Sequence, residues 1–121
     1  AISAHSELLA RYASICQAHD IVPIVEPEVL MDGDHTIERS EEVTTEVLHR
    51  VFNTLYHHKV VLEYIILKPN MVIPGKQCPT QCTPDAIAEA TVRVLRRTVP
   101  AAVPSINFLS GGQSALEATQ N

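Results

Sequence analysis

Tryptophan, long apolar runs and positive charge are what this sequence has least of. Trp is absent, and only three of the 121 residues are lysines, at positions 59, 68 and 76. No run approaches the roughly eighteen apolar residues of a membrane-spanning helix. The formal net charge is −5, whereas proteins that bind nucleic acid usually carry a basic patch. We therefore expect neither a membrane nor a nucleic acid as a partner.

Cysteine is also scarce, and its count is odd. The three cysteines are Cys16, Cys78 and Cys82, and no charged and then apolar leader opens the sequence. This combination is typical of reduced thiols in a cytoplasmic protein. Cys78 and Cys82 are four positions apart, but no second pair completes the four ligands of a structural zinc site. We interpret their segment as an ordinary loop and expect no metal.

The composition indicates one globular domain, because apolar residues make up 45% of the chain and charged residues 19%. Four helices are predicted from apolar spacing and capping residues. The first covers residues 2–18, with an apolar face of Leu8, Leu9, Tyr12, Ile15 and Cys16. The others cover residues 41–58, after a loop at 27–39 and an N-cap at Ser40; residues 84–97, after Thr83; and the segment opened by the capping-box pattern at Ser114.

Three short apolar runs are predicted strands, and each closes with a polar residue. They cover residues 21–26, 60–68 and 106–110, and they close with Glu26, Lys68 and Ser110, which are 42 positions apart in succession. Alternating helices and strands favour a parallel α/β sheet with crossover helices. The regular spacing is typical of a barrel or a regularly wound sheet, where catalytic groups gather at the carboxyl ends of strands.

Lys68 carries the main functional prediction. A lysine at the end of a buried strand is poorly hydrated, which favours the neutral amine that forms a Schiff base with a carbonyl. The simpler interpretation is a strand-end lysine that extends into water. Glu26 is suited to protonating the hydroxyl of the carbinolamine, with Glu28 as a helper. It is equally suited to a structural ion pair with Lys68.

Two glycine-containing segments hold residues suited to ligand binding. Ser110-Gly111-Gly112 before a helix is an arrangement that binds phosphate, although most such segments are plain turns. Asp32-Gly33-Asp34-His35 contains side chains that bind metals but lacks the spacing of a calcium loop. We interpret it as a turn, with a metal-assisted enzyme that also uses the cysteines as a minor alternative.

Five ordered motifs resemble class I fructose-bisphosphate aldolases, which act through a Schiff base. Residues 67–72 (Leu-Lys-Pro-Asn-Met-Val) are similar to that family's signature around the imine-forming lysine, and residues 24–30 are similar to its acidic strand end. The other matches are residues 9–16, 97–104 and 108–114. The resemblance extends over nearly the whole sequence but covers only the barrel segment from the helix before strand five to the helix after strand seven.

The resemblance implies a fold, a reaction and partners. The fold is a (β/α)₈ TIM barrel, of which residues 1–121 form one partial domain with about three consecutive parallel strands. The reaction is the reversible glycolytic cleavage of fructose 1,6-bisphosphate into dihydroxyacetone phosphate and glyceraldehyde 3-phosphate, with no metal or other cofactor. The sugar phosphate is the small-molecule partner, and family members of full length are usually homotetramers.

The resemblance also implies roles for seven residues. Lys68 matches the lysine that forms the imine, and Glu26 matches the acid–base carboxylate of imine formation. Glu28 matches a carboxylate of the active-site charge network. The contacts to a substrate phosphate are matched by Leu109, Ser110, Gly111 and Gly112.

The sequence departs from the family pattern at Tyr64-Ile65, where family members generally have a small pair. Alternation along a strand places Tyr64 on the face of Lys68, where its bulk would crowd the lysine. This departure favours the alternative function, a non-catalytic relative that binds sugar phosphates or protein partners. The family's catalytic aspartate and second active-site lysine have no counterparts here. We therefore expect residues 1–121 alone to be poorly stable, with little or no aldolase activity.

Overall fold

Helices and short parallel strands alternate along the chain in the computed structural model, which describes residues 1–30 and 32–121. In chain order the elements are α1 (Ile2–Ala18), β1 (Ile24–Val25), α2 (Ile37–His57), a 3₁₀ turn (Leu62–Tyr64), β2 (Ile66–Leu67), α3 (Pro84–Thr98) and α4 (Ala115–Gln120). This alternation confirms the predicted α/β class. The described residues form a parallel layer with packed helices and do not close into a barrel.

The pairing of β1 with β2 confirms the predicted spacing for the first two strands. The strands are parallel, with Ile24 beside Ile66 and Val25 beside Leu67, a shift of 42 positions. The ladder continues past β2, because the N–H of Lys68 donates to the carbonyl of Val25 at 2.8 Å. The last paired residues of both strands are fully buried, as expected for strands covered on both faces.

The third predicted strand lies beside β2 in a different register from the one predicted. Leu67 pairs with Ile106 in a single parallel bridge, a shift of 39 positions instead of 42. Continued by one residue, this register places Asn107 beside Lys68, so the predicted alignment of Ser110 with Lys68 is wrong. The prediction aligned the strands by the last residue of each apolar run, whereas backbone hydrogen bonds decide which residues pair. The observed pairing of this segment with β2 differs from the predicted one by three residues.

The run before Lys68 forms a shorter strand than predicted. Leu62–Tyr64 is a 3₁₀ turn, and β2 contains only two residues. The N–H and carbonyl of Val61 bond to the side-chain amide of Gln17 in α1, at 2.9 and 2.8 Å, so a side chain satisfies this backbone instead of a strand. Tyr64 is 65% exposed and does not share a strand face with Lys68. The predicted crowding of the lysine, which assumed strand alternation, is therefore wrong.

The starts of α2, α3 and α4 follow the capping rules, but α2 begins four residues earlier than predicted. Its N-cap is Thr36, whose hydroxyl accepts the N–H of Arg39 at 3.3 Å, and Ser40 is buried within the helix. Threonine and serine are both good N-caps, so residue type alone does not choose between these starts. α3 and α4 begin after Thr83 and Ser114, as predicted, and α4 has both halves of its capping box.

The core lies between the three long helices and the sheet, with Ala10 and Ala13 of α1 at its edge. Its most deeply buried large aliphatic side chains are Val25, Leu48, Val51, Leu55, Ile65, Leu67, Val72 and Val94. At 25 cal/mol per Å², burying each such aliphatic side chain stabilises the fold by about 1.5–3 kcal/mol before entropy is counted. Within the described part of the chain, no helix combines the length and hydropathy needed to cross a membrane.

Only part of the apolar face predicted for α1 packs, because Leu9 lies against the core and Cys16 is half-buried. Leu8, Tyr12 and Ile15 are all exposed, whereas the buried residues of α1 are Ser6, Ala10 and Ala13. Small side chains allow α1 to approach α2 closely, and Leu8, Tyr12 and Ile15 lie on the other side of the helix. The sequence pattern identified an amphipathic helix correctly but could not show which side would meet α2.

A charged cluster joins α2 to α3. The carboxylate of Glu41 accepts two hydrogen bonds from Arg93, at 2.7 and 3.0 Å, and Arg97 lies 3.6 Å away. The hydrogen bonds from Arg93 hold the pKa of Glu41 below its ordinary value, against the opposing effect of burial. Such a bidentate arginine–carboxylate pair fixes both distance and orientation.

Candidate functional site

Lys68 and Glu26 extend from adjacent strand ends and meet. The residues before them, Leu67 and Val25, are fully buried and paired, so each charged residue is the first of its strand to leave the core. The Nζ of Lys68 lies 3.7 Å from Oε2 of Glu26. The structure therefore brings together the two residues at the centre of the sequence prediction, and their chemical roles stay predictions.

The Lys68–Glu26 pair is more exposed than predicted. The side chains of Lys68 and Glu26 are 40% and 44% exposed, so the expected desolvation of the lysine is wrong for the described chain. A single long contact between half-exposed charges contributes at most about 1 kcal/mol to stability. The fold does not depend on this pair, and both groups are accessible to a ligand.

Glu28 lies two residues beyond Glu26, with an exposed side chain. It makes no ion pair with any other residue in the described ranges. Its backbone is nevertheless well fixed, because Pro27 before it is buried and the N–H of Val29 after it donates to the side chain of Asn70 at 3.0 Å. Glu28 is thus a free carboxylate on a fixed backbone, close in sequence to the pair.

Asn70 is the residue of this site that the sequence analysis missed. It is only 5% exposed, and its side-chain amide also donates to the carbonyl of Met71 at 3.0 Å. A polar side chain two residues after Lys68, inside a Lys-Pro-Asn segment, was the available signal. Neither composition nor periodicity could show that its partner lies 41 positions earlier in the chain.

The predicted phosphate-binding loop follows the stretch around Ile106 that pairs with Leu67 of β2, which we call the third sheet segment. Gly111 and Gly112 have φ values of 64° and 85°, a left-handed backbone that glycine adopts without strain. The N–H of Leu109 donates to the carbonyl of Pro69 at 3.2 Å, so this group is already occupied. Within residues 1–30 and 32–121, the N–H groups of Ser110, Gly111 and Gly112 have no backbone acceptor. Three of the four predicted phosphate contacts therefore have a free backbone donor.

The Asp32-Gly33-Asp34-His35 segment is a bend that packs against the loop after β2. The N–H of Gly75 donates to the carbonyl of His35 at 2.9 Å, and Gln77 bonds to Gly33 through both its N–H and its side chain. A Cβ on Gly75 would clash with the carbonyl oxygen of Gly33, so residue 75 must be glycine for this approach. No three His, Cys, Asp or Glu side chains are grouped as metal ligands among the residues described.

Cys78 and Cys82 lie in the same irregular loop and are free, which confirms the loop interpretation. Burial is the main cause that raises the pKa of the Cys82 thiol, and Glu38 adds to the effect. A raised pKa lowers the fraction of thiolate, which is the nucleophilic form of cysteine.

A cavity of about 530 Å³ opens between α1 and α2, beside Glu26 and Glu28. Its wall is mostly apolar and includes Leu9, Val43 and Val47. Lys68 is not among the residues that line it. The cavity therefore adjoins the carboxylate side of the pair and does not enclose the lysine.

Comparison with known proteins gives consistent matches over the whole chain. The sequence profile of the family described as class-I fructose-bisphosphate aldolase matches residues 1–121. Fructose-bisphosphate aldolase C of Homo sapiens is 59% identical over 121 residues, which is 100% of this chain and 33% of the relative. Fructose-bisphosphate aldolase of Dictyostelium discoideum is 54% identical over 120 residues, with 99% and 34% covered.

A solved structure is similar to this chain in three dimensions. It is the fructose-bisphosphate aldolase of Plasmodium falciparum, in complex with TRAP and a small-molecule inhibitor. The TM-score is 0.97 at 52% sequence identity, over 98% of this chain and 34% of that one. The chain thus spans about a third of the length of the relatives it matches.

Proposed function

The chain belongs to the class-I fructose-bisphosphate aldolase family, and we propose that the protein containing it cleaves fructose 1,6-bisphosphate reversibly into dihydroxyacetone phosphate and glyceraldehyde 3-phosphate. The observation that carries this proposal is the contact of 3.7 Å between Lys68 and Glu26 at adjacent strand ends. An amine beside a carboxylate is the pair of groups that imine formation requires.

In the proposed reaction, the amine of Lys68 attacks the keto carbon of the open-chain sugar and forms a carbinolamine. Glu26 protonates the carbinolamine hydroxyl, which leaves as water and gives a protonated imine. This cation accepts the electron pair of the bond between the third and fourth carbons while a general base takes the proton of the hydroxyl on the fourth carbon, so that bond breaks and glyceraldehyde 3-phosphate leaves. Protonation of the remaining enamine at the third carbon restores the imine, and its hydrolysis by water releases dihydroxyacetone phosphate and the free amine of Lys68. Glu28 contributes negative charge near the pair, and no metal or cofactor takes part.

We assign the binding of a substrate phosphate to Leu109, Ser110, Gly111 and Gly112. The free N–H groups of the last three and the Ser110 hydroxyl are suitable donors to phosphate oxygens. Leu109 contributes by fixing the loop to Pro69, because its own N–H is occupied. The loop is bonded to the residue directly after Lys68, because the carbonyl of Pro69 accepts the N–H of Leu109, which supports a phosphate position near the reacting carbon.

The proposal extends to the architecture of the whole protein. Residues 1–121 would form one partial domain of a TIM barrel, and further strands would pair with the edge of β1, where Ile24 is 46% exposed. A homotetramer follows from the family resemblance. A cytoplasmic protein follows from the odd cysteine count, and the absence of membrane and nucleic-acid partners from the short apolar runs and the net charge of −5; all belong to the same proposal.

Trapping of the imine tests this function directly. The full-length protein is incubated with dihydroxyacetone phosphate, reduced with borohydride and mapped by mass spectrometry. We expect one adduct, on Lys68. Lys59 and Lys76 serve as internal controls, and an adduct on either of them in place of Lys68 would sink the assignment. Ligand binding with neither an adduct nor turnover would instead favour the non-catalytic alternative.

A further inference from the structure

We propose that Asn70 is a positioning residue that fixes Glu26 and Glu28 relative to Lys68, an inference that rests on the proposed function. Asn70 lies in the loop after β2 and is 5% exposed. A buried amide without hydrogen-bond partners would destabilise the fold, so the two bonds of Asn70 constrain where its partners lie. One of its two bonds reaches the residue after Glu28, and the other is local, to the next residue in the chain.

One bond joins the loop after β1, which contains Glu26 and Glu28 (the carboxylate loop), to the loop after β2, which contains Lys68 and Asn70 (the lysine loop). Oδ1 of Asn70 accepts the N–H of Val29 at 3.0 Å. That N–H belongs to the peptide group directly after Glu28, and on the other side of Glu28 the ring of buried Pro27 fixes φ. The backbone of Glu28 is therefore held from both sides. Glu26 precedes this fixed segment by one residue, so the same bond limits where its side chain can reach.

The other bond orients the amide itself. Nδ2 of Asn70 donates to the carbonyl of Met71 at 3.0 Å, which directs Oδ1 toward Val29. Only a short side chain with one acceptor and one donor satisfies both partners. Aspartate keeps an acceptor for Val29 and loses the donor to Met71, whereas alanine loses both. These two substitutions therefore separate the bond between the loops from the local bond.

Asn70 also lies beside the proposed phosphate loop. Gly111 has no side chain, but a Cβ placed on its backbone would lie 4.0 Å from the Cβ of Asn70. The preceding carbonyl, of Pro69, accepts the N–H of Leu109. The residue therefore lies where the carboxylate, lysine and glycine loops meet. A structural role alone would affect stability, whereas a positioning role predicts a specific loss in imine chemistry.

The test compares N70A, N70D and the control N53A in the full-length protein with fructose 1,6-bisphosphate as substrate. Asn53 is exposed on α2 and distant in sequence from all three loops. We expect N70A to lower kcat about 10- to 100-fold, because a misplaced acid–base group costs about that much. KM should change less than about twofold, since the phosphate contacts remain. N53A should match the wild type.

The rate of imine formation provides the discriminating readout. Borohydride trapping with dihydroxyacetone phosphate should slow in N70A by about the same factor as kcat, and N70D should recover at least about half of the loss on a logarithmic scale. Hydrogen exchange should show the Val29 amide protected in the wild type and N70D. It should be unprotected in N70A.

Each remaining outcome decides the question. A kcat for N70A within about twofold of the wild type overturns the proposal, and so does an N70D enzyme as slow as N70A. If N70A fails to melt cooperatively, the test uses N70D alone. Slow imine trapping in N70D while its Val29 amide stays protected from exchange overturns the proposal. A wild-type protein with neither cleavage nor an adduct overturns the proposed function and this inference together. An active wild type with an unaffected N70A overturns only this inference.

Discussion

Two pairs of a carboxylate and a cation in this chain differ in geometry and burial. Glu41 accepts two hydrogen bonds from Arg93, at 2.7 and 3.0 Å, and its side chain is 17% exposed. Glu26 and Lys68 share one contact of 3.7 Å and are 44% and 40% exposed. The first pair uses its bonding capacity to join two helices. The second leaves its capacity free for a ligand, which is what a reactive pair requires.

Replacing Lys68 should have the largest effect on activity and almost none on stability. K68M removes the proposed nucleophile, so we expect the cleavage rate to fall at least about 10³-fold, since loss of a covalent catalyst typically costs this much or more. The urea midpoint should stay close to that of the wild type. K76M is the matched control, because Lys76 is exposed. Turnover by K68M near the wild-type rate would contradict the claim that the Lys68–Glu26 pair is reactive.

Replacing Glu41 should have the next largest effect, on stability. E41Q keeps the shape of the side chain but loses the charge-assisted bonds, so we expect a loss of about 1 kcal/mol in the free energy of unfolding, allowing for the partial exposure of Arg93. Urea melts of the full-length protein measure it, with E46Q as the control, since Glu46 is exposed on the same helix. Equal midpoints for E41Q and E46Q would remove the distinction between the two pairs.

The contribution of Glu41 should depend on pH. Hydrogen bonds from Arg93 lower the pKa of Glu41 from its ordinary value of 4.5, so the ionised group stabilises the fold above that value. This stabilisation is lost as the pH falls from about 4.5 through the lower folded-state value. The difference in urea midpoint between wild type and E41Q should therefore shrink between about pH 6 and about pH 3. A difference that is constant over this range would show that charge plays no part.

Replacing Glu26 should have the smallest effect on stability. E26Q removes a half-exposed, single contact, so we expect a change below about 0.5 kcal/mol in the free energy of unfolding. Imine trapping should nevertheless slow, because the acid that protonates the carbinolamine is lost. Urea melts and borohydride trapping on the same preparation measure both effects. A destabilisation as large as that of E41Q would show that the strand-end pair is structural.

The parts of the fold that were predicted correctly depend on short-range chemistry. Thr83 and Ser114 cap their helices because side-chain oxygens reach N–H groups three residues away. Glu26 and Lys68 were found because each follows a buried apolar run at the same edge of a parallel sheet. The capping signals lie within a few residues of sequence. The spacing of 42 positions between Glu26 and Lys68 is kept because β1 and β2 pair directly in that register.

The parts that were missed depend on partners far along the chain. The small-residue face of α1 packs because α2 approaches it, and the bond of Asn70 to Val29 spans 41 positions. The 3₁₀ turn replaced a strand because the amide of Gln17 bonds to Val61, 44 positions away. The register of the third sheet segment likewise follows from backbone pairing with Leu67. No local pattern encodes these choices.

Gly75 has a consequence for how this sequence can vary. Its backbone lies so close to the carbonyl of Gly33 that the smallest side chain would push the two loops apart, although its own backbone conformation is ordinary. Random mutagenesis should therefore find position 75 closed to every substitution, including alanine, while the exposed neighbour Lys76 accepts many. Tolerance to mutation in this region is lowest at a residue with no side chain to conserve.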